Sequence, residues 1–436
     1  MRKMIESPAG SYGWRPVLIM AALFFSIGFV TWLNGPLITF VQVAFSLDDV
    51  TAFLVPMCFY LAYFFFPLPA TMLSRKIGLR KGLIVALFVM AAGTALFGEC
   101  VTARFYAGAL GGLTVIGAGL SLLQITVNPY VSLLGDHDRA AQRIAIMGTA
   151  NKFAGILAPM LFAVLVMPHV SEVAASLRSI PAGPERDTIL ANFAHAVHAP
   201  YAAMAGVLVL LAILVARSSL PEISLDAATP TTSGSRAHPL WLVTGVLSMF
   251  LYVGVEVLAG DAIGLYGRSF GLSLDVTKYL TALTLAAMMA GYLVGMVVVP
   301  RFVTQRRYTV FCCVLGIAFC LLALVAAATS GSGMAPVLCV ALLGFANAMI
   351  LPALFPVVLA EAGADPGTAT AFLVMAYSGG AVIPQIFVHL APRIGVAEAF
   401  MALAIPCYVV IAVWMLAFMA RTAETSSPAG LKLTEG

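Results

Sequence analysis

The chain has 436 residues, of which 61% are hydrophobic and only 10% charged, with a net charge of +4. Soluble domains carry about 25% charged residues, so this composition over this length excludes a soluble domain with one anchor and indicates a polytopic membrane protein. The basic residues sit in short loops, which excludes a nucleic-acid footprint, and the seven cysteines lie in or beside apolar segments with no disulfide or metal spacing.

The N-terminus is a short polar tail before a long apolar run. It has no small-residue cleavage site, so no removed signal peptide is expected. A membrane-spanning helix needs about 20 mostly apolar residues. Twelve segments reach that length, near 16–42, 50–74, 82–102, 105–134, 141–167, 200–220, 239–263, 277–300, 308–329, 334–360, 367–391 and 396–420. None alternates as barrel strands do, so an all-α membrane protein is expected.

Segment 1 carries Trp32 and Asn34 ahead of Gly35-Pro36, and segment 2 ends in a basic turn from Arg75 to Lys81. Glu99 closes segment 3. Segment 4 holds Gln124 and Asn128, four apart on one helix face, followed by Pro129 and Tyr130. Segment 5 holds Asn151 and Lys152, the one ammonium inside a span, and then Pro159. Residues 168–199 are expected as a solvated loop. His195 and His198, one turn apart there, lack further metal ligands. Residues 221–238 are rich in Pro, Ser, Thr and Gly and read as a linker dividing 1–220 from 239–436, six segments from six.

Segment 7 carries two carboxylates. Glu256 lies deep within it and Asp261 follows toward its end. A carboxylate near the bilayer centre is expensive unless paired, which makes Glu256 a functional candidate and Lys152 its natural partner. Segment 10 carries Asn347 ahead of Pro352 and Pro356, and segment 11 carries Tyr377, Pro384 and His389. The prolines are expected to break or bend their helices where freed backbone groups line protein or water. The amides Asn34, Gln124, Asn128, Asn151 and Asn347 suit a hydroxyl-rich solute. Trp32, Tyr130, Tyr252 and Tyr377 could stack on a sugar face. Each amide equally suits interhelical hydrogen bonding.

The two halves repeat weakly. The basic turns at Arg75 and Arg301 are offset by 226, and Gln124 and Asn347, each five residues before a proline, by 223. Matched halves are a mark of transporters whose site lies near the midplane. Placing the N-terminus inside puts sixteen Lys and Arg on that side against six opposite, so both termini are expected in the cytoplasm. No phosphate loop, nucleophile elbow or HExxH is present, and a catalytic reading is set aside.

The stretches GFVTWLNGPLI (28–38), LLQITVNPYV (122–131), RIAIMGTANKFAGILAP (143–159), LPEI (220–223) and FLYVGVEVLAGDAIGLYG (250–267) resemble the glucose/galactose branch of the fucose–galactose permease family, within the major facilitator superfamily. The resemblance implies two pseudo-symmetric six-helix bundles and alternating access around a central sugar site. It further implies a monomeric bacterial inner-membrane symporter for glucose and galactose with no cofactor beyond a co-transported ion. The substrate-binding set expected from the residues is Asn34, Gln124, Asn128, Asn151, Asn347, Trp32 and Tyr377, with Glu256, Asp261 and Lys152 for cation coupling and gating.

One departure redirects the coupling. The L-fucose branch has an aspartate matching Gly35 and a glutamate matching Gln124, and neither carboxylate exists here. Coupling therefore falls to Glu256 and Asp261, which would also be the carboxylate ligands of a sodium ion. Sodium is the ion implied for this branch. A proton coupled to another sugar, such as fucose or an amino sugar, is the alternative. The turn at 71–81 resembles the superfamily's cytoplasmic turn, but has Thr71 where glycine is usual and Arg75 where aspartate is usual.

Overall fold

A computed structural model describes residues 14–133, 140–223, 238–330, 333–362 and 366–425. The first half runs α1 (Trp14–Thr31), α2 (Asn34–Ala44), α3 (Asp49–Ala52), α4 (Leu54–Phe65), α5 (Pro67–Ile77), α6 (Leu79–Thr102), α7 (Tyr106–Leu133), α8 (Ala140–Leu165), α9 (Val170–Ser179), α10 (Pro184–His195) and α11 (His198–Arg217). The second runs α12 (Pro239–Asp261), α13 (Ile263–Ser269), α14 (Leu274–Thr277), α15 (Leu280–Arg301), α16 (Gln305–Ser330), α17 (Met334–Ala341), α18 (Leu343–Asn347), α19 (Ile350–Leu359), α20 (Pro366–Met375), α21 (Gly379–Ile394) and α22 (Val396–Thr425).

Among the described residues, eleven helical stretches are long and apolar enough to cross a membrane, and twelve when α4 and α5, bent by 52° at Pro67, count as one. Proline explains that bend, since it starts a helix well but cannot donate to the preceding turn. The same physics divides α1 from α2 ahead of Pro36. By contrast α8 runs through Pro159 without a break. The 168–199 stretch is not a plain loop. It folds into α9 and α10, and His198 Nε2 meets Glu99 Oε1 at 3.0 Å.

Glycines set the helix crossings, and they repeat between halves. A Cβ on Gly117 would stand 2.4 Å from the Phe59 carbonyl, and one on Gly344 would stand 2.0 Å from the Thr284 carbonyl. These pairs differ by 227 and 225 positions, matching the offset of the basic turns. Backbone contact at both sites tolerates no side chain.

Two faces close the molecule. On the face carrying α9 and α10, the halves meet through Arg268, which donates to Gln42 Oε1 at 2.7 Å and Asp49 Oδ1 at 3.0 Å. Beside them Lys278 Nζ donates to the Met167 carbonyl at 2.8 Å and Asp275 Oδ1 at 3.0 Å, while the Asp275 N–H donates to Ser171 Oγ at 3.2 Å. On the opposite face, α20 packs against α5 and α7.

Candidate functional site

Between these closures lies the cross-half pair. Lys152 on α8 and Glu256 on α12 approach to 3.4 Å (Nζ to Oε1), with side chains only 10% and 9% exposed. The sequence places one ammonium and one deep carboxylate in opposite halves, and the fold brings them together. Lys152 also stands 5.3 Å from the Trp32 ring and 5.5 Å from the Tyr292 ring. Cation–π contact of this kind is strongest when desolvated, so the ammonium is held by Glu256 on α12, Tyr292 on α15 and Trp32 in the turn between α1 and α2.

Trp32 is the most constrained of these. A Cβ on Gly155 would lie 2.7 Å from its indole and one on Gly260 2.6 Å, so the ring is clamped between α8 of one half and α12 of the other. It packs among Leu285, Met288 and Ala348 of the second half. Trp32 therefore projects from the first half into the second.

Tyrosines surround the carboxylate. The hydroxyls of Tyr60, Tyr252, Tyr292 and Tyr377 all lie within electrostatic range of Glu256. Tyr377 also faces Tyr63 across the halves, with ring centroids 5.6 Å apart. Tyr63 accepts from Gln124 Nε2 at 3.2 Å, which links Gln124 to the tyrosine belt. Asn128 lies one turn further along α7, half-buried. Sequence reasoning missed Tyr60, Tyr63 and Tyr292. The i, i+3 spacing of Tyr60 and Tyr63 on one helix face was the available signal.

Asp261 occupies a separate position. Five residues along a helix place it about 140° around and about 7.5 Å beyond Glu256, and Tyr60 lies within electrostatic range of both carboxylates. Asp261 is buried near Tyr60, with the Gly35 backbone N–H facing it, and neither carboxylate oxygen makes a hydrogen bond among the described residues. An ionised carboxylate in that condition is unstable unless a proton or cation accompanies it. Gly35 leaves no room for a side chain, because a Cβ there would lie 2.3 Å from Thr281 Oγ1. No group of three or more His, Cys, Asp or Glu is placed to hold a metal among the described residues. A sodium ion here would draw on hydroxyl, amide or backbone oxygens beside a single carboxylate.

The remaining amides divide. Asn34 is buried beside Tyr60 and donates to the Thr31 carbonyl at 3.2 Å. Asn151 turns away from the pair and donates to the Phe24 carbonyl at 3.1 Å, bracing α8 on α1. Asn347 lies within the second half. Its Oδ1 accepts from the Tyr408 hydroxyl at 2.8 Å and its carbonyl from the Tyr252 hydroxyl at 3.1 Å. Its Nδ2 is buried with no partner among the described residues, as is the Thr31 hydroxyl beside Trp32. Tyr130 is tied to the base of the linker, its hydroxyl donating to the Pro221 carbonyl.

This arrangement is a buried, polar, aromatic-lined centre between two helical halves, capped on both faces. Comparisons with known proteins bear on the family and the fold. Residues 20–384 match the family model described as Major Facilitator Superfamily. The chain is 31% identical over 404 residues to a glucose/galactose transporter of Brucella abortus biovar 1, covering 91% of this chain and 92% of that one. It is 26% identical over 412 residues to the L-fucose-proton symporter of Escherichia coli, covering 91% of each. A crystal structure of the E. coli fucose:proton symporter FucP superposes with a TM-score of 0.71 at 24% identity, covering 94% of this chain and 99% of that one. That of a D-xylose-proton symporter superposes with a TM-score of 0.67 at 15% identity, covering 92% and 97%.

Proposed function

The chain belongs to the Major Facilitator Superfamily, and we propose that it is a cation-coupled symporter importing monosaccharides, glucose and galactose foremost, by alternating access. The observation that carries this reading is the Lys152–Glu256 pair, buried between the halves beneath a belt of tyrosines. Residues 1–220 and 239–436 act as the two rocking bodies, joined by the 221–238 linker. Both termini face the cytoplasm of a bacterial inner membrane.

The sugar binds where Trp32, Tyr377, Gln124 and Asn34 converge on the pair. Its hydroxyls exchange hydrogen bonds with the amides and tyrosine hydroxyls, and its C–H face lies on an aromatic ring. Asn128 extends this surface along α7. Asn151 and Asn347 support it from the α1 and α22 sides. Asp261 carries the coupling cation, and Glu256 holds the halves through Lys152. Cation binding at Asp261 changes the charge that Glu256 and Lys152 experience along the same helix. The two conformations then differ in ion affinity, as coupling requires. Sodium is the ion we carry from the resemblance. Protons are the alternative, with fucose or an amino sugar as cargo, and the relatives named L-fucose-proton symporter favour testing it in parallel.

The test is uptake of labelled glucose, galactose and fucose into proteoliposomes under imposed sodium or proton gradients. Accumulation of glucose or galactose above equilibrium with one gradient supports the reading. A chain that moves none of the three sugars contradicts it.

A further inference from the structure

Away from the centre, the seam between α4 and α21 forms a groove of about 420 Å³ lined by Met57 and Leu61 from the first half. Ala381, Val382, Ile386 and Leu390 line it from the second, with Gln385, His389 and Arg393 along the same helix. From Ala381 to Arg393 it follows α21 for twelve residues, about 18 Å at 1.5 Å per residue. That is close to the depth of one leaflet, since a bilayer hydrocarbon core is about 30 Å thick. Its apolar walls lie toward the membrane interior. His389 and Arg393 lie one turn apart at the end that reaches the α9–α10 face.

Those groups are available. Arg393 is exposed and its guanidinium pairs with no carboxylate among the described residues. His389 Nδ1 engages the Gln385 carbonyl at 2.8 Å, which leaves Nε2 turned away from its own helix. The Gln385 Oε1 beneath is buried with no hydrogen-bond partner among the described residues.

We propose that this groove binds one anionic phospholipid of the surrounding bilayer, its phosphate on Arg393 beside His389 and one acyl chain between α4 and α21. Charge complementarity selects the head group: an apolar trough ending in an unpaired guanidinium matches a lipid tail ending in a phosphate. Because the two walls belong to different halves, the bound lipid stabilises the conformation in which α4 and α21 lie together. That is the state closed on the α9–α10 face. The inference is independent of the sugar and of the coupling ion.

The experiment places the full-length protein in nanodiscs of phosphatidylcholine alone or with 30% phosphatidylglycerol, and reads lipid retention by native mass spectrometry beside thermal unfolding. The wild type is expected to retain one phosphatidylglycerol and to unfold at higher temperature in the mixed disc. R393Q combined with H389Q should lose most of that retention and at least half of the shift. M57W, which fills the trough and leaves Arg393 and His389, should lose retention as well. R178Q, an exposed cation on α9, should keep both. Retention unchanged in the double variant, or lost equally in R178Q, would overturn the site in favour of general surface electrostatics. Retention of phosphatidylcholine in equal amount would overturn the head-group assignment.

Discussion

Lys152 Nζ and Glu256 Oε1 stand 3.4 Å apart across the two halves, longer than the 2.7–2.9 Å of a short charge-assisted hydrogen bond. The pair holds the halves by electrostatics and by the packing of Trp32 and Tyr292 around the ammonium, a contact that can part during rocking. Removing one partner leaves a buried charge and costs about 3–5 kcal/mol. Glu256→Gln and Lys152→Gln are each expected to lower the unfolding temperature. The double variant should recover most of the loss, and a thermal-shift double-mutant cycle measures it.

Asp261 behaves oppositely. Its carboxylate is buried with both oxygens unpaired among the described residues, so Asp261→Asn removes a desolvated acid without removing a partner. Stability is expected to hold or rise by about 1 kcal/mol, as read by the same thermal shift, while gradient-driven transport falls.

The clamp on Trp32 admits no extra carbon. Gly155→Ala or Gly260→Ala would drive a methyl to within 2.7 Å or 2.6 Å of the indole, and overpacking of this kind costs about 1–3 kcal/mol. Either variant is expected to weaken sugar binding by displacing Trp32, a loss that isothermal titration with glucose would record.

Lys278 is the latch on the α9–α10 face. Only 5% exposed, it satisfies the Met167 carbonyl that ends the chain leaving α8. Lys278→Met is expected to weaken the docking of α9 on α14. Amide exchange across residues 170–179 should accelerate by about tenfold, corresponding to about 1.4 kcal/mol of lost protection.

Much of this was legible in the sequence, because lipid leaves little freedom. Apolar runs of spanning length can only be helices, and a lone ammonium and a lone deep carboxylate in opposite halves must find each other or face water. The amides were less legible. Gln124 joins the tyrosine belt, whereas Asn151 braces α1 and Asn347 answers Tyr408, because an amide serves a helix contact as readily as a ligand. Tyr60, Tyr63 and Tyr292 escaped notice since a tyrosine in an apolar run carries no charge to explain. The helices within 168–199 escaped for the converse reason: their polar composition resembles a loop, and docking against α2 and α14 supplies what their own apolar faces lack.

The central claim is that carboxylates of α12 couple the cation to the sugar. It is tested most directly by Asp261→Asn in proteoliposomes, comparing glucose exchange at equilibrium with gradient-driven accumulation. The account predicts exchange within about twofold of wild type and accumulation reduced to the equilibrium level. Full accumulation by this variant under the same gradient would contradict it.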